Sequence, residues 1–249
     1  MANKRTPLPS EEGVVDDLSH DGNGIVKVEG KVYFIPGVLP GERIIFTPKK
    51  KRKGKFEGVV ESILIASSQR ITPECEYFDR CGGCSFQHLD PDAQLVNKEK
   101  TLFDNLERLG KVSPKSKFKS IQGSLWGYRR KARPGIRYVP KKGGIMIGFR
   151  EPSSSYITSL HHCGALDDRL SALLPSLHEL IGKLSHNDRM PQFEVAAADN
   201  AVALVLRHLE ALCEQDEMLI RDYARYHALH FYVQSGGLDT IRPLWPEAP

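Results

Sequence analysis

Three of the chain's five cysteines lie within ten residues, in the stretch CEYFDRCGGCSFQH at residues 75–88. Cys81 follows Cys75 after five residues, and Cys84 follows Cys81 after the pair Gly82-Gly83. Glycine lets a backbone turn tightly, with positive φ where the turn needs it. Three thiolates this close in sequence are suited to one soft metal centre. We therefore expect the chain to fold around this loop.

Two metal centres fit this spacing. In the first, a 4Fe-4S cluster takes one thiolate for each iron, and the fourth ligand comes from Cys163 in the distant LHHCGAL stretch. In the second, the three clustered cysteines and His88 hold a tetrahedral zinc ion. The zinc site needs only local ligands, but it leaves Cys163 without a role. Spacing alone keeps both centres open.

Positive charge is concentrated along the chain although the net charge is only +4. Residues 111–150 contain twelve Lys and Arg and no Asp or Glu, and the stretch KKKRKGK at residues 49–55 has six cations in seven residues. Such clustering indicates a nucleic-acid partner, and the alternative is a solvated basic surface without a ligand. Phe86, Trp126 and Tyr128 are candidates to stack on bases, although each also suits a protein core. The predicted phosphate contacts are Lys49, Lys50, Lys51, Arg52, Lys53, Lys55, Arg129, Arg130, Lys131, Arg133 and Arg137.

Short Val, Ile and Phe runs separated by Gly, Pro and Asp predict five strands within residues 13–64, with a hairpin at Glu29-Gly30. Five strands in so short a segment indicate a small closed barrel of the OB type. A helix is predicted for residues 91–109, between an Asp90 cap and Gly110. Helical spacing of leucines predicts a further helix at residues 166–185, with a kink expected at Pro175. The alternation of helices and strands beyond residue 111 predicts an α+β domain with a sheet backed by helices.

The chain begins without the apolar run of a secretory signal, and no stretch approaches the length of a membrane span. We therefore expect a cytoplasmic protein with no membrane partner. Disulfides are disfavoured in that compartment, which strengthens the metal interpretation of the clustered cysteines.

A resemblance to a known family follows from these motifs taken together. The stretches DGNGIV and FIPGVLPGE precede the pattern C-x5-CGGC-x2-QH, and WGYRRKA follows it. In this order they resemble the TRAM-containing, iron-sulfur 23S rRNA (uracil-5-)-methyltransferases. The resemblance implies that Cys75, Cys81, Cys84 and Cys163 ligate a 4Fe-4S cluster and that 23S ribosomal RNA is the partner. It also implies a TRAM-type RNA-binding barrel at residues 1–66 and an iron-sulfur central domain at residues 67–90 and 111–249.

The family's reaction transfers a methyl group from S-adenosylmethionine to C5 of a uridine, using a cysteine nucleophile in a C-terminal Rossmann-like domain. The sequence contains no glycine-rich turn typical of that cofactor site. We therefore expect an OB-like β barrel followed by an α+β iron-sulfur domain, with the Rossmann-like methyltransferase domain absent from this chain. No catalytic or cofactor-binding residue is predicted here, and S-adenosylmethionine is expected only for a longer parent enzyme.

Two further expectations depend on that absence. The chain by itself is expected to be inactive, as a truncated portion of the enzyme. The helix at residues 91–110 is expected to pack on the missing catalytic domain, so that its apolar face favours self-association. The alternative function is a stand-alone RNA-binding module with a Cys3His zinc site.

Overall fold

The structure, a computed structural model, describes residues 9–49 and 55–246. The chain divides into two compact units, each assembled from two segments. The first unit is Met1–Glu74 with Cys84–Ile121, and the second is Cys75–Gly83 with Gln122–Pro249. The predicted domain boundaries stay predictions, and each unit is described below by itself.

The first unit contains a closed five-stranded barrel. Its strands follow one another around the barrel in the order β1-β2-β3-β5-β4, with β3 and β5 parallel. Alternate side chains point inward, so that Val26, Ile35 and Phe46 are fully buried. The five-stranded barrel that the alternating sequence predicts is therefore present. The strands are β1 (Glu11–Leu18), β2 (Asn23–Val28), β3 (Lys31–Pro36), β4 (Arg43–Pro48) and β5 (Phe56–Ile65).

Two sequence features shape this barrel locally. Glu29 and Gly30 have φ values of 48° and 73°, which is the left-handed pair that a two-residue hairpin requires between β2 and β3. The predicted hairpin is confirmed. Inside the barrel, a Cβ atom at Gly24 would lie 2.4 Å from a methyl group of Val38, so only glycine allows this close approach.

A buried ion pair joins the barrel to the segment that follows it. The Glu42 carboxylate is fully buried and accepts hydrogen bonds from Arg70 Nε at 2.6 Å and Arg70 Nη2 at 2.8 Å. It also accepts from the backbone N–H groups of Leu39 and Ser67. Burial raises the pKa of Glu42, but these hydrogen bonds outweigh burial and hold the pKa below its ordinary value. The carboxylate is therefore ionised although it is buried, and it connects the barrel to Ser67 and Arg70 within the first unit.

The helix α1 (Pro91–Arg108) begins where the sequence predicts it, because the Asp90 side chain accepts hydrogen bonds from the N–H groups of Asp92 and Ala93. None of its residues is fully buried. Leu102 is 55% exposed, and Leu109, which follows the helix, is 80% exposed, so two apolar side chains of this segment face solvent. Lys100 links the helix to the barrel through an ion pair with Asp17 at 2.6 Å.

The second unit is built on an eight-stranded mixed sheet. The sheet order is β13-β12-β11-β10-β7-β8-β9, with the short β6 paired to β10. The pair of β11 and β12 is parallel, and the other pairs are antiparallel. The strands are β6 (Lys131–Ala132), β7 (Gly135–Val139), β8 (Gly144–Arg150), β9 (Ile157–Ser159), β10 (Gln192–Ala197), β11 (Val202–Arg207), β12 (His230–Gln234) and β13 (Ile241–Trp245).

Three helices contribute to the hydrophobic core of this unit: α2 (Asp168–Ser171), α3 (Leu174–Lys183) and α4 (Glu214–Tyr226). The single helix predicted for residues 166–185 is therefore two helices. Proline has no N–H to donate and fits only the first turn of a helix, so a new helix begins around Pro175. In the part of the chain that the structure describes, no helix combines the length and hydrophobicity needed to span a membrane.

Candidate cysteine centre and nucleic-acid interface

The loop that carries Cys75 and Cys81 belongs to the second unit and is folded by its own backbone. The N–H of Phe78 donates to the carbonyl of Cys75 at 3.0 Å, and the N–H of Cys81 donates to the carbonyl of Tyr77 at 2.7 Å. The N–H of Gly83 then donates to Cys81 Sγ at 3.4 Å. An amide hydrogen bond to sulfur favours the negatively charged form that binds metals. The local geometry is therefore suited to a thiolate ligand.

The Gly82-Gly83 pair is required for a different reason than the one predicted. Neither residue has positive φ. Instead the N–H of Gly82 donates to the carbonyl of Arg150 at 2.9 Å, and a Cβ atom at Gly82 would lie 2.5 Å from that same oxygen. A Cβ atom at Gly83 would lie 3.4 Å from Cys81 Sγ. The pair therefore lets the cysteine loop lie directly against the end of β8.

Cys163 lies in the loop between β9 and α2 and is half-buried. Its N–H donates to the hydroxyl of the buried Ser171 at 2.9 Å, a support that the sequence analysis missed because nothing in the sequence distinguishes this serine. Cys163 and Cys81 both pack against the hydrophobic core of the second unit. Cys84 begins the second segment of the first unit and is also half-buried.

Among residues 9–49 and 55–246, no three His, Cys, Asp or Glu side chains are grouped so as to hold a metal ion. His88, the fourth ligand of the zinc alternative, is buried in the first unit. Burial, followed by the nearby Arg70, lowers its pKa to about 4, so the ring is neutral at pH 7.

The basic segment, residues 129–137, is attached to the loop that holds Cys163. The N–H of Gly127 donates to the carbonyl of Gly164 at 2.8 Å, and the N–H of Arg129 donates to the carbonyl of Ala165 at 2.9 Å. The carbonyl of Arg129 accepts in return from the N–H of Asp167. These backbone hydrogen bonds fix residues 127–129 to the loop that carries Cys163. The remaining basic residues, up to Arg137, follow directly along the chain.

The predicted phosphate contacts of this segment are not equivalent. Arg130 forms an ion pair with Asp199, and Arg133 Nε lies 3.1 Å from a carboxylate oxygen of Glu194. Lys131 and Arg137 are exposed, and no ion pair within the described residues involves them. Arg129 is half-buried. Lys131 and Arg137 are therefore the cations of this segment that are most available to a polyanion.

The barrel supplies the other basic cluster. Lys49 at the end of β4 and Lys55 before β5 are both exposed, and the ammonium of Lys55 lies 5.3 Å from the ring centroid of Phe34. The other predicted contacts in this loop, Lys50, Lys51, Arg52 and Lys53, lie outside the described residues.

The three aromatic candidates differ in availability. Phe86 packs against the small core of the first unit that contains Leu18. Trp126 is half-buried, and a Cβ atom at Gly164 would lie 3.0 Å from its ring. Tyr128 is exposed by 56%, so of the three it is the one open to stacking on a base.

Known proteins similar to this chain were identified by sequence. A protein of Aromatoleum aromaticum named 23S rRNA (uracil(1939)-C(5))-methyltransferase RlmD is 44% identical over 94% of this chain and 54% of its own length. Proteins of the same name from Thiobacillus denitrificans and Paraburkholderia xenovorans are 44% and 43% identical over 94% and 97% of this chain. The chain thus spans about half the length of the curated relatives it matches. No protein-family model matches it.

A solved structure shares the fold. It is the tRNA (uracil-54, C5)-methyltransferase of Pyrococcus abyssi in complex with S-adenosyl-L-homocysteine, with a TM-score of 0.62 and 22% identity. The match covers 90% of this chain and 50% of that chain.

This coverage corrects the fold-class prediction, which placed an OB-like barrel and an α+β iron-sulfur domain in this chain and left the methyltransferase domain out. A methyltransferase structure instead matches 90% of the chain, so the methyltransferase fold is present and the predicted absence was wrong. The prediction failed because it took a glycine-rich cofactor turn as the mark of that fold. The matched part consists largely of a barrel and a mixed sheet, which a sequence search for that turn does not detect.

Proposed function

We propose that the chain acts in an S-adenosylmethionine-dependent methyltransferase that modifies C5 of a uridine in 23S ribosomal RNA, and that it belongs to the TRAM-containing, iron-sulfur group of these enzymes. The observation that carries the proposal is identity of 42% to 44% over nearly all of this chain to curated proteins of that activity. The uracil-C5-methyltransferase fold of the solved relative agrees with it. S-adenosylmethionine would supply the methyl group.

The barrel and the basic segment are the proposed RNA-binding surfaces. Lys49 and Lys55 flank one basic loop of the barrel, and Lys131 and Arg137 are exposed in the second unit. Cations in such positions bind phosphates and release counterions, so that affinity falls as salt rises. Tyr128 is the proposed stacking residue, because an exposed aromatic ring can stack on an unpaired base whichever of the four bases it is.

The proposed metal ligands are Cys75, Cys81, Cys84 and Cys163, holding a 4Fe-4S cluster. The sulfur donors suit such a cluster, and the amide hydrogen bond to Cys81 Sγ matches a charged ligand. The cluster, when bound, would supply a structural cross-link and no step of methyl transfer. A zinc site with His88 is less well supported, because Cys163 has no part in it.

Metal analysis tests the cluster directly. An anaerobic preparation of the chain is expected to be brown and to contain about four irons per chain. Cys163→Ser should lower the iron content and the brown colour, whereas Cys213→Ser, which changes an exposed cysteine, should leave both unchanged. One equivalent of zinc without colour would instead support the zinc module.

The reaction is tested with a protein that contains residues 1–249, radiolabelled S-adenosylmethionine and unmodified 23S rRNA. Nucleoside analysis is expected to give 5-methyluridine. Transfer to a ribose hydroxyl or to another base would contradict the proposal. RNA binding without any methylated nucleoside would instead support the alternative function, a stand-alone RNA-binding module.

A further inference from the structure

The second unit contains a cavity of about 450 Å³ beside the edge strand β9. Arg80 from the cysteine loop, Lys142 from the turn between β7 and β8, and Ser159 from β9 line it. His161 and His178 form another part of its wall. This volume lies within the range of small-molecule sites in proteins, and neither the barrel nor residues 129–137 contribute to it.

The charges around the cavity favour an anion. Arg80 and Lys142 carry positive charges, and Glu151 is the acidic residue among the lining residues. No ion pair within the described parts of the chain neutralises Arg80 or Lys142. A guanidinium and an ammonium at the wall of one cavity are suited to a phosphate group.

The histidine wall is rigid. His178 Nδ1 donates to the carbonyl of Leu174 at 2.8 Å, and Nε2 accepts from the N–H of Ile147 at 3.2 Å and from the Ser159 hydroxyl at 3.0 Å. These partners satisfy the neutral ring, and burial lowers its pKa. The ring of His161 stacks on it with centroids 4.8 Å apart and planes 9° apart.

His161 itself is exposed. The stacked pair therefore presents a flat aromatic surface at the wall of a positively charged cavity. Unpaired bases of RNA stack on surfaces of this type, histidine included.

We propose that this cavity binds one nucleotide of an RNA strand, with its phosphate held by Arg80 and Lys142 and its base or sugar against His161. The identification of the strand as RNA rests on the proposed function. The site uses none of residues 129–137, so it would add a further phosphate contact to theirs.

The first experiment measures ligand binding to the 249-residue chain. Uridine 5′-monophosphate, uridine and inorganic phosphate are titrated by isothermal calorimetry and by ¹H–¹⁵N spectra. We expect the monophosphate to shift the amides of β9 and to bind about ten-fold or more tightly than uridine, because charged hydrogen bonds to phosphate are strong. Equal binding of the monophosphate and uridine would overturn the phosphate assignment.

Variants locate the site. Lys142→Gln and Arg80→Gln should each weaken monophosphate binding about ten-fold. Lys183→Gln is the matched control, because it removes one charge from an exposed residue of the same unit outside the cavity. If Lys142→Gln and Lys183→Gln behave alike, the proposal fails. Unchanged circular dichroism and tryptophan fluorescence would show that the variants are folded, since both tryptophans lie in the second unit.

Competition identifies the source of the phosphate. A single-stranded oligoribonucleotide should displace the monophosphate from the chain, and Lys142→Gln should weaken its binding. An oligoribonucleotide that binds without displacing the monophosphate would overturn the cavity as an RNA site while leaving the proposed function intact. A chain that binds the monophosphate but no RNA would contradict both the RNA part of this inference and the proposed RNA partner.

Discussion

The buried pair of Glu42 and Arg70 allows a quantitative test of what holds the first unit together. The change Glu42→Gln keeps the size of the side chain but removes its charge. It also turns one acceptor oxygen into a donor that faces the N–H groups of Arg70, Leu39 or Ser67. Glu42 is fully buried, so water cannot replace the lost partners. Removing one member of a buried ion pair costs about 3 to 5 kcal/mol.

We take about 3 kcal/mol as the expected loss, because the Arg70 side chain is 23% exposed and recovers part of its hydration. The matched control is Glu12→Gln in the same barrel. Glu12 pairs with Arg43 at 2.8 Å, but both side chains are about half exposed. Exposed pairs contribute about 1 kcal/mol or less.

The assay must report on the first unit alone. Both tryptophans, Trp126 and Trp245, lie in the second unit, so their fluorescence follows that unit and serves as an internal reference. Hydrogen exchange of the barrel amides follows the first. A loss of about 3 kcal/mol accelerates exchange through global opening about 100-fold. Glu12→Gln should change it by about five-fold or less.

Comparable exchange rates in Glu42→Gln and Glu12→Gln would refute the reasoning. They would mean that the buried carboxylate gains no more from its partners than an exposed one does. A shift of the tryptophan transition that equals the change in the barrel would also contradict it, since the ion pair lies wholly within the first unit.

Three other predictions concern pH, packing and charge. The pKa of His88 is lowered from 6.5 to about 4 in the folded chain, so the unfolded chain takes up the proton first as the pH falls, and the first unit should lose about 2 kcal/mol between pH 7 and pH 5. Urea titrations in which unfolding is detected by hydrogen exchange of the barrel amides should show this fall in stability as the pH falls. The fall should be absent in His88→Gln. Gly82→Ala should lower the stability of the second unit by about 1 to 3 kcal/mol, because the new Cβ meets a carbonyl oxygen at 2.5 Å. Gly182→Ala, which meets nothing within 4 Å, should be neutral or stabilising in tryptophan-detected melting, and the reverse order would contradict the packing argument. The double change Lys131→Gln and Arg137→Gln should reduce the slope of log affinity against log salt for single-stranded RNA by about 1.4, as measured by fluorescence anisotropy between 50 and 200 mM salt. An unchanged slope would remove these residues from the interface.

Much of the local structure is predictable because its determinants are close in sequence. The hairpin at Glu29-Gly30 and the helix cap at Asp90 each depend on a few neighbouring residues, and both are observed. Pro175 shows the limit of such reasoning. The leucine spacing extends across it, but the missing N–H starts a new helix there.

Long-range contacts were not predictable from one sequence. Nothing near Glu42 indicates that it is buried, because its partner Arg70 lies 28 residues away. The glycine at position 82 looked like a turn residue, whereas its neighbour Arg150 belongs to a distant strand. The basic cluster was recognisable as a set, but only the fold shows that Asp199 pairs with Arg130.

The hydrogen bond from Ile147 to His178 has a consequence for the stability of the second unit. Strand β9 has only three residues and pairs with Gly148, Phe149 and Arg150 at the far end of β8. Ile147 is fully buried, so an empty place beside its N–H would leave a buried donor unsatisfied. The imidazole of His178 takes that place instead. His178→Ala should therefore lower the stability of the second unit by about 1 to 3 kcal/mol in tryptophan-detected melting, whereas Glu179→Ala, at an exposed position of α3, should not.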